Sequence, residues 1–234
     1  FALTIFLNVL LVWHGSLKAE VENYKADICV YGGTASGVMA ALAAEKEGST
    51  VILIEPTRCL GGMTGGGINH LDWGKGETVG GSTYKILMEG LKDQKRAHGG
   101  HAKYGIGNKQ YRERFKKLVK DRGITVIYDH RVGKVQVGDV TINKPTREQP
   151  IALGEKIVSK NKNNFIQSII LDYAPVDETG CPIPVPKKRN VIAVSAKVFI
   201  DCSYEGDILG MSGVRYTWGR ESREHYDESL AGVR

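Results

Sequence analysis

Asp27-Ile-Cys-Val-Tyr31 runs directly into Gly32-Gly33-Thr34-Ala35-Ser36-Gly37, and then into Val38-Met-Ala-Ala-Leu-Ala-Ala44. The first run is short, mostly apolar and β-favouring, which marks a buried strand. Three glycines in the next six residues interrupt it. The third run consists almost wholly of strong helix formers. Gly48 stands where the helix needs a C-terminal cap. Thr50-Val-Ile-Leu-Ile54 is a second buried strand, and it ends on Glu55. Strand, glycine turn, helix, strand and acid follow one another in the order of a dinucleotide-binding βαβ unit.

Each residue type has a physical task in such a unit. Gly32 permits a tight turn out of the strand. A helix starting near Ala35 aims its unpaired N–H groups at the turn, which suits a pyrophosphate. Gly37, with Ala40, Ala41 and Ala44, lets the helix lie close on the sheet. Glu55 follows Gly37 by 18 residues, near the ~20 expected of an acid that accepts from ribose hydroxyls. One position departs from G-x-G-x-x-G, because Thr34 stands where the second glycine belongs. Either its hydroxyl faces the phosphate, or the ligand approaches less closely. The alternative to nucleotide binding is a tight turn in an unrelated parallel α/β fold.

Strand, turn and acid serve NAD and FAD alike, so the choice rests on later residues. Arg58-Cys-Leu-Gly-Gly-Met-Thr-Gly-Gly-Gly67 places five glycines in the seven positions from Gly61 to Gly67. Such a backbone has a small cross-section that a flat or polyanionic group can approach, and Arg58 can offset phosphate charge. A plain surface loop is the competing reading. Further on, Val198-Phe-Ile-Asp201 reads as a strand with a polar cluster at its carboxyl end, where open α/β sheets bind ligands.

The blocks CVYGGTASGVMAALAAEKEG, VILIEPTRCLGGMTGGG and VFIDCSYEGDILGMSGVRYTWGRE, with the closing Tyr226–Arg234, resemble the FAD-dependent oxidoreductases of the glutathione-reductase-like flavoprotein fold. The departures are Thr34 and Cys202, the latter where the family commonly has Ala. The resemblance implies a Rossmann-like α/β domain with a parallel central sheet and an antiparallel β excursion. It implies FAD as cofactor, with Gly32, Gly33, Thr34, Ala35, Ser36 and Gly37 by the pyrophosphate and Glu55 on the adenosine ribose. Arg58, Gly61, Gly62 and Thr64 would fall along the pyrophosphate and ribityl chain, and the backbone of Arg131–Val135 near the adenine. Asp207 would face the pyrophosphate or the ribityl end, or else cap the short helix Ile208–Ser212. The resemblance also implies that residues 20–234 are the N-terminal part of the domain, with the catalytic partner beyond Arg234. His70, Asp72 and Trp73, just after the glycine-rich turn, are candidates to lie near the flavin ring. A small-molecule substrate and an electron acceptor are the implied partners. A non-catalytic nucleotide-binding module and an NAD-dependent dehydrogenase are the alternatives. Thr83-Tyr84-Lys85 lacks the Tyr-x-x-x-Lys spacing that the latter often uses.

Composition narrows the remaining classes. With 234 residues, 41% hydrophobic and 25% charged, the chain is neither disordered, nor collagen-like, nor a polytopic membrane protein. Its charge of +6 gathers partly in Lys109–Arg122 and Lys187–Arg189. Tyr111, Phe115, Leu118 and Val119 recur through the first stretch at helical spacing, so its cations form the wet face of an amphipathic helix rather than a nucleic-acid surface. Phe1–Trp13 is almost wholly apolar but short of the ~20 residues of a membrane span. It suits the core of a signal peptide over residues 1–19, cut after Ala19 and leading to the extracellular space or periplasm. An uncleaved anchor or a buried strand also fits. Export would put Cys59 and Cys181 in an oxidising space where they can pair. No metal site is expected: no CxxC occurs, and His98-Gly-Gly-His101 lies on a glycine loop.

The middle of the chain completes the expected sheet. Ser82 or Thr83 caps a helix through Ala97, and Asn108 caps the basic helix that Gly123 ends. Ile124–Tyr128 is a parallel strand, and Arg131–Val140 begins the antiparallel excursion. Val140–Asn164 reads as an insertion or long loop, followed by strands over Phe165–Tyr173 and Val191–Ile200.

Overall fold

The computed structural model describes residues 20–66, 80–82, 108–144, 165–214, 216, 222–230 and 232. The expected leader, His70–Trp73, Tyr84-Lys85, His98–His101 and residues 145–164 of the expected loop lie outside them. The elements are β1 (Glu22–Tyr31), α1 (Ala35–Lys46), β2 (Val51–Glu55), α2 (Gly62–Gly66), α3 (Asn108–Asp121), β3 (Thr125–Tyr128), β4 (His130–Val137), β5 (Val140–Asn143), β6 (Ile166–Tyr173), β7 (Lys188–Asp201), α4 (Asp207–Met211) and α5 (Arg223–Tyr226). No helix among the described residues is long and apolar enough to cross a membrane.

Seven strands join in the order β3-β2-β1-β7-β6-β4-β5. The first four are parallel, and the β7–β6, β6–β4 and β4–β5 pairs are antiparallel. β3 and β4 are separated by Asp129 alone, yet they lie far apart in this order. The sheet therefore folds over on itself, and β4 lies under the parallel strands. Asp129 makes the corner with φ 60, a left-handed conformation that Asp tolerates better than most residues. β7 serves both layers through its 14-residue length. Lys188–Ser195 pairs with β6, and Ile192–Asp201 pairs with β1.

Two-residue alternation on the parallel strands divides the core into two layers. Cys29 and Tyr31 of β1, Ile52 and Ile54 of β2 and Ile127 of β3 face the antiparallel layer, meeting Val132, Val135, Ile169 and Leu171. Val30, Val51 and Leu53 face the other way, against Val38 and Ala41 of α1 and Tyr111, Phe115 and Val119 of α3. The result is a three-layer α/β/β domain with the parallel sheet in the middle, which agrees with the fold class expected.

Several local expectations need correction. The first four residues of the expected loop, Val140–Asn143, form β5 and pair with Lys134–Val137 of β4. Val140-Thr-Ile-Asn143 alternates apolar and polar residues, as an edge strand with one face on the core does, and Ile142 packs against that core. Asn108 is the first residue of α3 rather than the residue before it. β1 begins at Glu22, five residues earlier than apolar content indicated, because Glu22–Ala26 pairs with Ile192–Ala196. Cys59 and Cys181 are free rather than paired, as are Cys29 and Cys202. Burial pushes the Cys29 thiol up to about 12, which leaves it inert.

Gly37 decides whether α1 can lie against the turn. A Cβ at this position would sit 1.9 Å from the carbonyl oxygen of Gly32, whereas a Cβ at Gly48 (φ +83) would meet nothing within 4 Å. Gly37→Ala is expected to cost about 3 kcal/mol or more through backbone overpacking. Gly48→Ala should cost only about 1–2 kcal/mol of left-handed strain. Urea unfolding midpoints at unchanged slope test that order, and equal losses would show that α1 relaxes away from the turn.

Candidate functional site

The carboxyl ends of β1, β2 and β7 lie side by side, and the loops leaving them meet over the sheet. Gly32 (φ +95) leaves β1 with its N–H donating to Ile54 O at 2.8 Å. A Cβ there would stand 2.6 Å from Ser203 N, so the missing side chain admits the backbone leaving β7. The Gly33 carbonyl accepts from Gly61 N at 2.8 Å, joining the first loop to the second.

Thr34 caps α1. Its backbone is extended (φ −62, ψ 174), and its hydroxyl accepts from Gly37 N at 3.2 Å. The same hydroxyl donates to Cys202 O at 2.9 Å and lies 2.9 Å from Ser36 Oγ. Of the two readings open for Thr34, the hydroxyl facing a phosphate is therefore not the arrangement found. The hydroxyl turns inward and ties the first loop to the third. Ala35 and Ser36 form the first turn of α1; the parallel bridge between Thr34 and Gly61 turns the Ala35 amide toward Gly61, whereas the Ser36 N–H has no acceptor among the described residues. A free amide donor at the start of a 12-residue helix offers an anion both a hydrogen bond and the positive end of the helix dipole.

Glu55 is 6% exposed. Its Oε2 accepts from Gly33 N at 2.7 Å, and its Oε1 accepts from Thr57 N at 2.7 Å and the Thr57 hydroxyl at 2.5 Å. A carboxylate has about four acceptor positions, so one remains, on Oε2 beside the turn. Burial pushes the Glu55 pKa above its ordinary value of 4.5, and the Thr57 and Gly33 donors offset part of that rise. In the fold alone, the stability this carboxyl contributes is present below its unfolded pKa and is lost as the pH rises through its folded value.

Arg58 has a different partner from the one expected. Its Nε lies 3.0 and 2.9 Å from the two Asp129 carboxylate oxygens, and a terminal nitrogen lies 2.8 Å from Oδ2. The guanidinium thus clamps the loop after β2 to the β3–β4 corner, with its charge already engaged. Gly61 (φ +97) lies against the Phe115 ring, where a Cβ would come within 2.3 Å. Gly62 (φ +51) and Thr64 lie in α2, a turn the glycine-rich sequence did not announce. Val135 is not brought to these loops. It is fully buried in the antiparallel layer and paired to Ile142 on one side and Ile169 on the other.

Asp207 neither caps α4 nor faces the turn. Its Oδ2 accepts from the Tyr31 hydroxyl at 3.2 Å and from Lys144 Nζ at 2.8 Å. Tyr31 is fully buried, also accepts from Val132 N at 3.2 Å, and has its pKa raised well above 10 chiefly by that burial. The carboxylate that holds α4 is Asp201, which sequence reasoning passed over. Its Oδ2 accepts from Ile208 N and Leu209 N, both at 2.8 Å, while Oδ1 takes Ser203 N at 3.0 Å and the Ser203 hydroxyl at 2.7 Å. The available signal was an Asp ending a strand two residues before a Ser, a pairing that favours a local turn.

Asp201→Ala leaves four donors without their acceptor and is expected to lower stability by about 2–4 kcal/mol. Amide exchange at Ile208 and Leu209 should quicken in that variant. In Asp207→Asn the same two amides should keep their protection, and the reverse pattern would return the cap to Asp207.

The family model described as FAD dependent oxidoreductase matches residues 27–152 and 176–233. Among solved structures, an L-proline dehydrogenase from P. horikoshii is 16% identical with a TM-score of 0.39, over 79% of this chain and 23% of that one. A geranylgeranyl bacteriochlorophyll reductase-like protein from Thermoplasma acidophilum is 16% identical with a TM-score of 0.46, over 82% and 43%. A flavoprotein/dehydrogenase from Cytophaga hutchinsonii is 14% identical with a TM-score of 0.43, over 83% and 44%. The match thus spans less than half the length of each of these three proteins. No curated protein matches the chain. With the family model covering most of the sequence, including the turn, Glu55 and the β7 exit, the chain belongs to the FAD dependent oxidoreductase family.

Proposed function

We propose that this chain is the nucleotide-binding part of a flavin-dependent oxidoreductase and that its three-loop mouth holds the ADP half of FAD. The observation that carries the reading is the joint placement of the free Ser36 amide at the start of α1 and the spare Glu55 acceptor at one glycine turn. These groups fit the cofactor chemically: a free amide at a helix start suits a diphosphate, and a buried carboxylate oxygen with one open acceptor position suits a ribose hydroxyl. Gly61, Gly62 and Thr64, on the adjoining loop, would lie along the diphosphate and the chain beyond it. Arg58 and Asp207 act at one remove in this reading, by fixing the loops. Bound FAD would supply two-electron acceptance from a small-molecule donor and delivery to an electron acceptor. The protein's own share is to bind the nucleotide, orient it and keep water from its buried end.

The absorption spectrum of the purified full-length protein tests this directly. An oxidised-flavin spectrum that bleaches with dithionite and recovers in air is expected, together with turnover on some donor. Reversible bleaching with no turnover on any donor would favour the non-catalytic module, and a colourless protein that binds NAD would favour the dehydrogenase. Glu55 gives a second test with a defined sign. Its pKa lies above 4.5, so lowering the pH through that raised value removes the charged ribose acceptor. FAD affinity should therefore fall with falling pH. Glu55→Gln should bind FAD about tenfold more weakly near neutrality, as expected for one charge-assisted hydrogen bond, and should lose that pH step.

A further inference from the structure

The three loops at the mouth are joined pairwise into a ring. The first meets the second through Gly61 N and Gly33 O, and the first meets the third through the Thr34 hydroxyl and Cys202 O. The second meets the third through Tyr204, whose hydroxyl accepts from Met63 N at 2.9 Å. The first two joints are buried or half-buried, whereas Tyr204 is 59% exposed. Burial therefore explains little of where its ring lies.

The hydroxyl contact is specific in shape as well as chemistry. A Cβ on Gly62 would come 2.3 Å from the Tyr204 oxygen and 3.2 Å from Thr34 Cα. The phenol thus fills the space that glycine leaves, at the point where Gly62 meets Thr34. On this geometry we propose that Tyr204 is a positioning residue for the cofactor, closing the ring of loops so that the Gly62–Gly66 turn stands ready beside the diphosphate site. The proposal rests on the FAD reading above. Glu55 holds the Gly33 amide, whereas Tyr204 holds the start of the Gly62–Gly66 turn. On the FAD reading the Gly62–Gly66 turn lies along the diphosphate and the chain beyond it, so Tyr204 serves the part of the dinucleotide past the first phosphate, which AMP lacks.

The test removes the hydroxyl alone, because the ring also walls a 780 Å³ cleft shared with Phe199, Leu209 and Tyr216. The full-length protein and its Tyr204→Phe variant, each stripped of flavin, are titrated with FAD and with AMP. Amide exchange is followed over residues 62–66. The expected result is a FAD dissociation constant raised about fivefold, the scale of one ordinary hydrogen bond. AMP binding should be unchanged and exchange at Met63 faster. Unchanged FAD affinity would overturn the proposal, and so would equal weakening of FAD and AMP, which marks general destabilisation. Failure of the unaltered protein to bind FAD at all would instead overturn the FAD reading, and Tyr204's role with it.

Discussion

The site depends on one steric fact: the turn out of β1 is enclosed by backbone on two sides. The carbonyl of Gly32 lies where a Cβ of residue 37 would be, and the Cys202–Ser203 backbone lies where a Cβ of residue 32 would be. Helix α1, strand β1 and the exit of β7 can converge only because both positions lack side chains. Once they converge, the Thr34 hydroxyl reaches Cys202 and Gly37 together, and the Ser36 amide is left without an acceptor among the described residues. The glycines thus shape the protein's own packing first. Room for a ligand at the turn follows from that packing.

The second layer supports the mouth from beneath. Tyr31, the last residue of β1, sends its hydroxyl through the core to Val132 N of β4 and to Asp207 at the start of α4. Lys144, just after β5, completes this linkage through its ion pair with Asp207. Both groups are largely shielded, so the pair depends on its hydrogen bonds as much as on its charge. A chain of contacts therefore runs from the antiparallel layer to the loop that carries Tyr204. Asp201 fixes the same loop from the end of β7. Two carboxylates six residues apart divide the work, one capping α4 and the other anchoring it.

The βαβ unit was legible because each of its signals is local. Strand β2, helix α1 and the glycine turn lie within one or two residues of their expected places. The fold class followed from that unit together with the family resemblance carried by the blocks around it. Elements set by pairing alone were not legible. β5 is only four residues long, and its strand character rests on its pairing with β4. The early start of β1 comes from β7. Site residues divide along the same line. Glu55 could be placed by its distance from the turn, whereas the partners of Arg58 and Asp207 are Asp129 at the β3–β4 corner and Tyr31 with Lys144, across the fold. A free-looking cation or carboxylate in a sequence carries no mark of the opposite charge that folding brings to it.

Glu55 shows how the fold and the proposed ligand pull in opposite directions. Burial at the end of β2 favours its neutral form, which raises its pKa. Accepting from a ribose hydroxyl, as well as from Gly33 N and Thr57, favours the charged form. The three protein donors resolve much of this conflict before any ligand arrives, because each one offsets part of the cost of keeping the carboxylate ionised. Thr57 is therefore part of the site although it lies behind the carboxylate and away from the turn. Its amide and hydroxyl both bind Oε1, which leaves Oε2 as the oxygen shared between the Gly33 amide and a ligand. A fold that buried Glu55 without Thr57 would push its pKa further up and leave Oε1 without its donors. Such an acid would recognise a ribose far less well, even with every glycine in place.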